Sequence, residues 1–405
     1  MAADVNRLVI VHVNAAHSFT HYCLLILPTA VLSMAQPGGG VGAEYGPILA
    51  LATGGFLLYG LFSLPQGWLA ARVGRRALMT AFFFGTGLGM IGTGLADTPI
   101  TLAVALAVTG LFAAIYHPIG TALLVEAAGE QPGRAIGLNG VFGNVGVALA
   151  PMVTAFLVFR WDWQAAFVVP GALCVLAGLS WLRVPNLDLA ARRNARPFPE
   201  IPSHLVRRAV LVLLLIAAVS GLVFNAFTLL LPKLMQERLA DSPGLLPLAG
   251  VAATVATLCG AVTQLTVGRM IDRMTLKRLL LPMALVLAPA LAGLAFAQGW
   301  LVLPLAGAVA AVIFGQVTVN ETMTARYISP ALRTRMYSVR FFVGFLGSAA
   351  APPIIGFLHG LTGSQAAVLL VLAAFALVTL GCALAFPDRE EELNPSLWAR
   401  AAAAE

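Results

Sequence analysis

The stretch "GWLAARVGRR" occupies residues 67–76, and "GRMIDRMTLK" occupies residues 268–277. Gly67 matches Gly268 and Arg72 matches Arg273, at a spacing of 201 residues. A second pair of segments keeps that spacing. "RAIGLNGVFGNVGVALAP" at 134–151 and "RMYSVRFFVGFLGSAAAP" at 335–352 share Arg134/Arg335, Gly143/Gly344, Gly146/Gly347 and Pro151/Pro352. "HYCLLILPTAV" also echoes "NAFTLLLPKLM", with His21 opposite Asn225 and Pro28 opposite Pro232. The chain therefore reads as a duplication, and its solvent decides what the two copies can be.

That solvent is lipid. Of 405 residues 60% are hydrophobic and only 10% are charged, against about 25% charged in a soluble domain. The mean hydropathy is +0.90. Apolar stretches of span length recur along the chain, so the expectation is an all-α polytopic membrane protein, not a barrel. Twelve transmembrane helices are expected at 6–33, 45–71, 76–96, 98–127, 134–159, 164–183, 206–236, 244–270, 277–297, 300–327, 333–359 and 363–386. They form two pseudo-symmetric six-helix bundles, 1–183 and 206–386, joined by a cytoplasmic linker at 184–205 and followed by a cytoplasmic tail at 387–405. The N-terminal segment lacks a short apolar core with a small-residue cleavage site and reads as the first span. The four cysteines all fall in apolar segments without a CxxC spacing and read as buried small hydrophobes.

Charge sets the orientation. Arg72, Arg75, Arg76, Arg134, Arg192, Arg193, Arg207 and Arg208 share one side with Arg269, Arg273, Lys277, Arg278 and Arg326. The opposite side keeps Arg160, Lys233 and Arg238. The asymmetry places both termini in the cytoplasm. It also accounts for the pI near 9.7, so no nucleic-acid partner is called for.

With the repeats and the spans in place, "GWLAARVGRR" resembles the G-x-L-x-D-R-x-G-R-R/K loop of the major facilitator superfamily, and "GRMIDRMTLK" resembles its second copy. The resemblance covers essentially the whole chain and implies the major facilitator fold. Ala71 stands where the family usually has an acid, and Asp272 keeps it in the second copy. The resemblance implies that this acid latches helix ends, so Gly67, Arg72, Arg76, Gly268, Asp272 and Arg273 are the candidate gating residues. A fainter resemblance is to the fosmidomycin-resistance branch, carried by His17 and His21 in the first span, "IYHP" in the fourth and Gly143, Gly146 and Pro151 in the fifth. That branch includes efflux proteins.

Polar side chains inside apolar spans are costly and mark candidate sites. Asn14, His17 and His21 share one helix face at i, i+3/i+4 spacing. His12 lies off that face, within reach of water or a neighbouring helix, and Ser18 and Thr20 can return their hydroxyls to the local backbone. The resemblance implies that spans 1, 4, 7 and 10 line the cavity. The substrate- or proton-binding candidates are therefore His17, His21, His117, Asn225, Gln264, Gln316, Asn320, Glu321 and Arg340. Each histidine can equally be a hydrogen-bonding residue of a helix interface. Asn139 and Asn144 read first as packing residues, and Glu126 as a latch or surface group.

No Asp or Glu lies near the middle of a span. Histidine, with an ordinary pKa near 6.5, is the natural proton carrier in that absence. A cavity of histidines and one arginine favours an anionic or neutral polar cargo. The expectation is a proton-coupled secondary transporter of a small solute in the bacterial inner membrane, working by alternating access as a monomer; its direction stays open, with the branch resemblance tilting toward efflux. Its partners are that solute, protons and the bilayer. No cofactor is called for, and no Walker A, HExxH or Ser-His-Asp pattern points to an enzyme. Two alternatives stay open. One is a transition-metal carrier with His17 and His21 as ligands and His117 or Cys23 completing the site. The other is a receptor or assembly factor with the same fold and no transport.

Overall fold

The computed structural model describes residues 2–34, 45–129, 132–185, 198–238, 249–362 and 364–398. Much of the expected linker and the end of the tail lie outside them. The described residues are helical without a strand. The first span is α1 (Ala2–Leu25) and α2 (Leu27–Met34); the second is α3 (Tyr45–Ala50), α4 (Thr53–Ser63) and α5 (Gln66–Val73). α6 (Arg75–Gly94) is the third, α7 (Pro99–Ala113) with α8 (Tyr116–Ala128) the fourth, α9 (Pro132–Arg160) the fifth and α10 (Ala165–Trp181) the sixth. The later spans are α11 (Ser203–Arg238), α12 (Ala249–Ile271), α13 (Leu276–Phe296), α14 (Val302–Tyr327), α15 (Pro330–Ala349) with α16 (Ala351–Thr362), and α17 (Gln365–Ala385). Among the described residues, eight stretches are long and apolar enough to cross a membrane. The other four expected spans fall on α3–α5, α10, α12 and α15–α16.

Proline explains the breaks. A proline gives no N–H to the carbonyl four residues back and crowds it. Pro28 follows the break at Ile26, Pro65 the break at Leu64, Pro118 the break at Ala114–Ile115, and Pro352 and Pro353 the break at Ala350. At the last of these the Ser348 carbonyl loses the N–H that residue 352 would have supplied, and Asn225 Nδ2 donates to it instead at 2.7 Å. The Ser348 hydroxyl in turn donates to Gly221 O at 3.0 Å. Proline alone does not force a break: α13 runs through Pro282 and Pro289.

The chain divides into two compact units. The first comprises Met1–Glu130, Phe142–Arg196 and Thr334–Phe341; the second comprises Gln131–Val141, Pro197–Arg333 and Phe342–Glu405. The first turns of α9 thus belong with the second unit, and residues Thr334–Phe341 of α15 with the first. In the first unit, Phe83 of α6 meets Trp181 of α10 at 6.2 Å between centroids, Cys174 Sγ donates to Phe83 O at 3.4 Å, and Phe82 meets Tyr116 of α8 at 5.8 Å, all of them buried. In the second, Val223 and Leu230 of α11, Leu287 and Leu291 of α13, Val309 and Ile313 of α14 and Leu369 and Leu372 of α17 form one core. Leu88 on α6, Leu176 on α10, Leu285 on α13 and Leu377 on α17 are exposed. In a chain whose solvent is lipid, such rows are the outer surface.

Charged side chains tie the helix ends of the first unit. Arg75 pairs with Glu126 at 2.6 Å, so Glu126 fastens α6 to α8. Arg76 donates to the carbonyls of Leu182 and Val184 at 2.7 and 2.6 Å, closing the end of α10, while Trp181 Nε1 donates back to Arg76 O at 3.1 Å. His12 is also a structural group: its ring nitrogens bond Leu8 O at 2.8 Å and Ser180 Oγ at 3.1 Å, joining α1 to α10. Ser18 departs from the expectation of a local bond. Its hydroxyl donates across to Phe142 O on α9 at 2.7 Å, because Gly146 lets the two backbones touch at this level.

Candidate functional site

His17 and His21 stand one helical turn apart on α1, so their rings project from the same face. His117 reaches them from the start of α8, two residues past the break at Ala114–Ile115. The Nε2 atoms of His17 and His21 are 3.2 Å apart. One ligating nitrogen from each of the three rings lies within 4.8 Å of the others. His117 meets both partners edge-on, at 5.3 Å between centroids in each case. His17 and His117 are buried and His21 is partly so.

An aromatic wall encloses the three rings. Tyr116 stacks on His17 at 4.9 Å with 25° between planes. Phe341 lies 4.7 Å from His117, and Tyr59 approaches it at 6.2 Å. The Arg340 guanidinium sits 4.4 Å over the far partner of this stack, the Phe341 ring, a favourable cation–π placement. Arg340 itself is buried. On the α9 side the cluster depends on a glycine. A Cβ at Gly143 would come within 2.7 Å of the His17 ring, so only a residue without one leaves the imidazole its place. Cys23 lies outside this cluster, and its thiol donates to Thr20 O at 3.3 Å on its own helix.

The structure thus brings His17, His21, His117 and Arg340 together in the first unit. The other candidates belong to the second. Asn225 uses its amide at the α15 break described above. Gln264 is buried on α12, its amide filling the space over Gly140. Gln316, Asn320 and Glu321 are buried along α14. Gln316 Nε2, Thr318 Oγ1 and Asn320 Oδ1 find no hydrogen-bond partner among the described residues, an uncommon condition for buried polar atoms.

The sequence does not mark out Tyr59, Phe341 or Ser338. Tyr116 is the aromatic residue of the "IYHP" motif, and the only signal for Phe341 is that it adjoins Arg340 in the chain. An aromatic residue in an apolar helix is otherwise indistinguishable from core.

The sequence profile described as the Major Facilitator Superfamily matches residues 19–249 and 244–403. The chain belongs to the major facilitator superfamily. It shares 33% identity over 139 residues with the puromycin resistance protein of Streptomyces alboniger, 34% of this chain and 26% of that one. It shares 24% over 156 residues with the probable L-galactonate transporter of Escherichia coli, 38% of this chain and 34% of that one. The chain therefore spans about a quarter to a third of the curated relatives it matches. Among solved structures it resembles the proton:xylose symporter XylE, with TM-score 0.73 at 14% identity over 98% of this chain and 100% of that one. It also resembles the human organic anion transporter MFSD10, with TM-score 0.72 at 18% identity over 93% and 99%. These likenesses show the twelve-helix fold. The superfamily's members are transporters, not enzymes.

The superfamily loops have matching geometry in the two units. A Cβ at Gly67 would lie 2.6 Å from Arg335 Cα, and one at Gly268 would lie 2.7 Å from Gly133 O and 2.9 Å from Gly137 Cα. In each unit the glycine lets the end of one helix lie against the first turns of another. Asp272 accepts from the Gly133 N–H on Oδ1 and from the Arg134 N–H on Oδ2, both at 3.0 Å. It caps the start of α9, where N–H groups have no partner within the helix and the dipole favours a negative charge. Half-burial pushes the Asp272 carboxyl above the usual carboxylate range, against the pull of those two N–H groups and of the Arg326 and Arg134 charges. Arg72 and Arg273 are exposed.

Proposed function

We propose that this chain is a secondary active transporter of the bacterial inner membrane that moves a small anionic or neutral polar solute by alternating access. The supporting observation is the His17–His21–His117 cluster, three polar rings in the middle of apolar spans with Arg340 against their aromatic wall. A packing role would be filled more cheaply by apolar residues. The cluster suits a cargo or proton site, with Gln264, Gln316, Asn320 and Glu321 as further binding candidates. Proton coupling is supported by the cluster's being built of histidine, a side chain able to take up and release a proton. Outward movement is the direction that the resemblance to the fosmidomycin-resistance branch and the similarity to a puromycin resistance protein support. Residues 1–183 and 206–386 are the halves that move, with both termini in the cytoplasm.

Reconstitution tests this reading. In proteoliposomes loaded with a pH-sensitive dye, organic anions and neutral polar solutes are added one at a time. A transported solute moves the internal pH in the wild type, and His17→Ala and His21→Ala abolish the signal. Absence of counterflow for every solute class would instead support the receptor or assembly-factor alternative. Orientation is checked separately: Arg193→Cys should resist a membrane-impermeant thiol reagent in intact cells, and ready labelling would reverse the topology.

A further inference from the structure

We propose that His17, His21 and His117 bind a divalent transition-metal ion, so that the cargo of this site is a metal ion accompanied by a small anionic ligand. The inference rests on the reading of the cluster as the cargo site and names what that site takes. Its basis is the geometry of the nitrogens. Metal–imidazole bonds of 2.0–2.1 Å in a tetrahedral arrangement set neighbouring nitrogens roughly 3.4 Å apart. His17 Nε2 and His21 Nε2 stand 3.2 Å apart, close to that edge, and share a hydrogen bond that a bound ion would replace. The His117 nitrogen completes a set within 4.8 Å, a spread that small rotations of the rings close.

The donor set selects the ion. Three neutral nitrogens suit Zn²⁺, Co²⁺, Ni²⁺ or Cu²⁺, while Mg²⁺ and Ca²⁺ require oxygen ligands that this cluster does not supply. Three protein ligands leave one tetrahedral position for a ligand from outside. Closed four-ligand sites are structural, whereas sites with an open position exchange what they hold, as a carrier must. The electrostatics select the fourth ligand. The cluster contains no carboxylate, and the buried Arg340 lies on the Phe341 ring that packs against His117. Three neutral nitrogens leave a bare dication its full charge inside an apolar span, which is costly. The compensating charge must arrive with the ion, as a carboxylate or similar anion. Gly143 fits the same picture, since its missing Cβ is what leaves the His17 ring in position.

The test uses the full-length protein purified in detergent, with Co²⁺ as the probe and Mg²⁺ as the control. Wild type should bind one Co²⁺ per chain with the intense visible absorption of four-coordinate cobalt. Its melting temperature should rise saturably with Co²⁺, because an ion that binds only the folded state stabilises it, and not with Mg²⁺. His17→Ala, His21→Ala and His117→Ala should each weaken binding at least about tenfold, given that even outer-shell changes cost about 10–100-fold; His204→Ala should not. Gly143→Ala keeps every ligand and should weaken binding by displacing one. Adding citrate with Co²⁺ should increase the melting shift in wild type and not in Arg340→Gln. Binding of octahedral type only, or binding that survives all three histidine variants, overturns the metal site. The direct measurement on wild type decides the matter even if a variant fails to fold. Solute counterflow without Co²⁺ binding would remove this inference and leave the transporter reading intact. Co²⁺ binding with no solute or metal flux would remove the transporter reading, and with it the assignment of the ion as cargo.

Discussion

Gly67 donates its backbone N–H to the Ser338 hydroxyl at 2.8 Å, in the first unit. The position equivalent to Ser338 in the other copy, 201 residues earlier, is Gly137, which has no side chain to accept such a bond. The reverse asymmetry holds at the acid. Asp272 ties the start of α9 in the second unit, and its counterpart Ala71 has no oxygen to offer. Each copy of the duplicated loop has therefore kept one tie and lost the other, while the close glycine contact persists in both.

Gly67→Ala should be more damaging than Ser338→Ala. The added methyl would meet backbone 2.6 Å away, which cannot move aside as a side chain could. Removing the Ser338 hydroxyl costs about one hydrogen bond, ~1 kcal/mol. Transport by Ser338→Ala should fall no more than about tenfold, with Gly67→Ala well below it, measured as initial rates in proteoliposomes. Equal rates in the two variants would show that the close approach is unimportant.

Asp272→Ala should reduce transport and lower the melting temperature, since loss of a helix cap costs about 0.5–2 kcal/mol. Ala71→Asp should have the opposite, smaller effect, because Thr334 and Arg335 stand where Gly133 and Arg134 stand in the other copy. Small and equal changes at the two positions would refute the capping role.

The Asp272 carboxyl carries a specific pH signature. Its titration in the folded protein lies above the usual carboxylate range because of half-burial, so the folded state holds the proton more tightly than the unfolded one. Its contribution to stability is thus full below the unfolded value of about 3.9 and declines as pH rises through the folded value. The melting temperature of wild type relative to Asp272→Asn should fall across that window and be flat above it. A difference that rises with pH would mean that the two N–H groups outweigh desolvation.

The segment after α17 should behave as part of the second unit. Glu392 is buried and accepts from Tyr327 Oη at 2.6 Å, the Leu276 N–H at 2.9 Å and Arg326 at 3.0 Å. Trp398 is buried against Tyr327 at 6.1 Å between centroids. Asp388 accepts from the Thr275 hydroxyl and from Arg278 at 3.3 Å. Glu392→Ala leaves Arg326 and Tyr327 without this carboxylate in a buried place, a loss of about 3–5 kcal/mol for a broken buried pair. The variant should melt markedly lower in detergent, and Glu390→Ala, at an exposed position, should melt as wild type.

The duplication, the apolar spans and the charge asymmetry were legible without coordinates because each is a one-dimensional pattern: a fixed spacing, a length set by bilayer thickness, and a bias between loops. His17 and His21 were also legible as a pair, since four residues on a helix always share a face. Tertiary structure alone decided what met them. His117 is 96 residues beyond His21 in the chain, and its approach depends on the break before Pro118 and on the missing Cβ of Gly143. Asn225 and His12 looked like cargo groups or loosely placed polar residues by type, yet one completes a backbone carbonyl orphaned by proline and the other joins α1 to α10. A polar residue in lipid must find a partner in either role, so its chemistry is written in the sequence, and only packing chooses between a partner in the protein and one that passes through it.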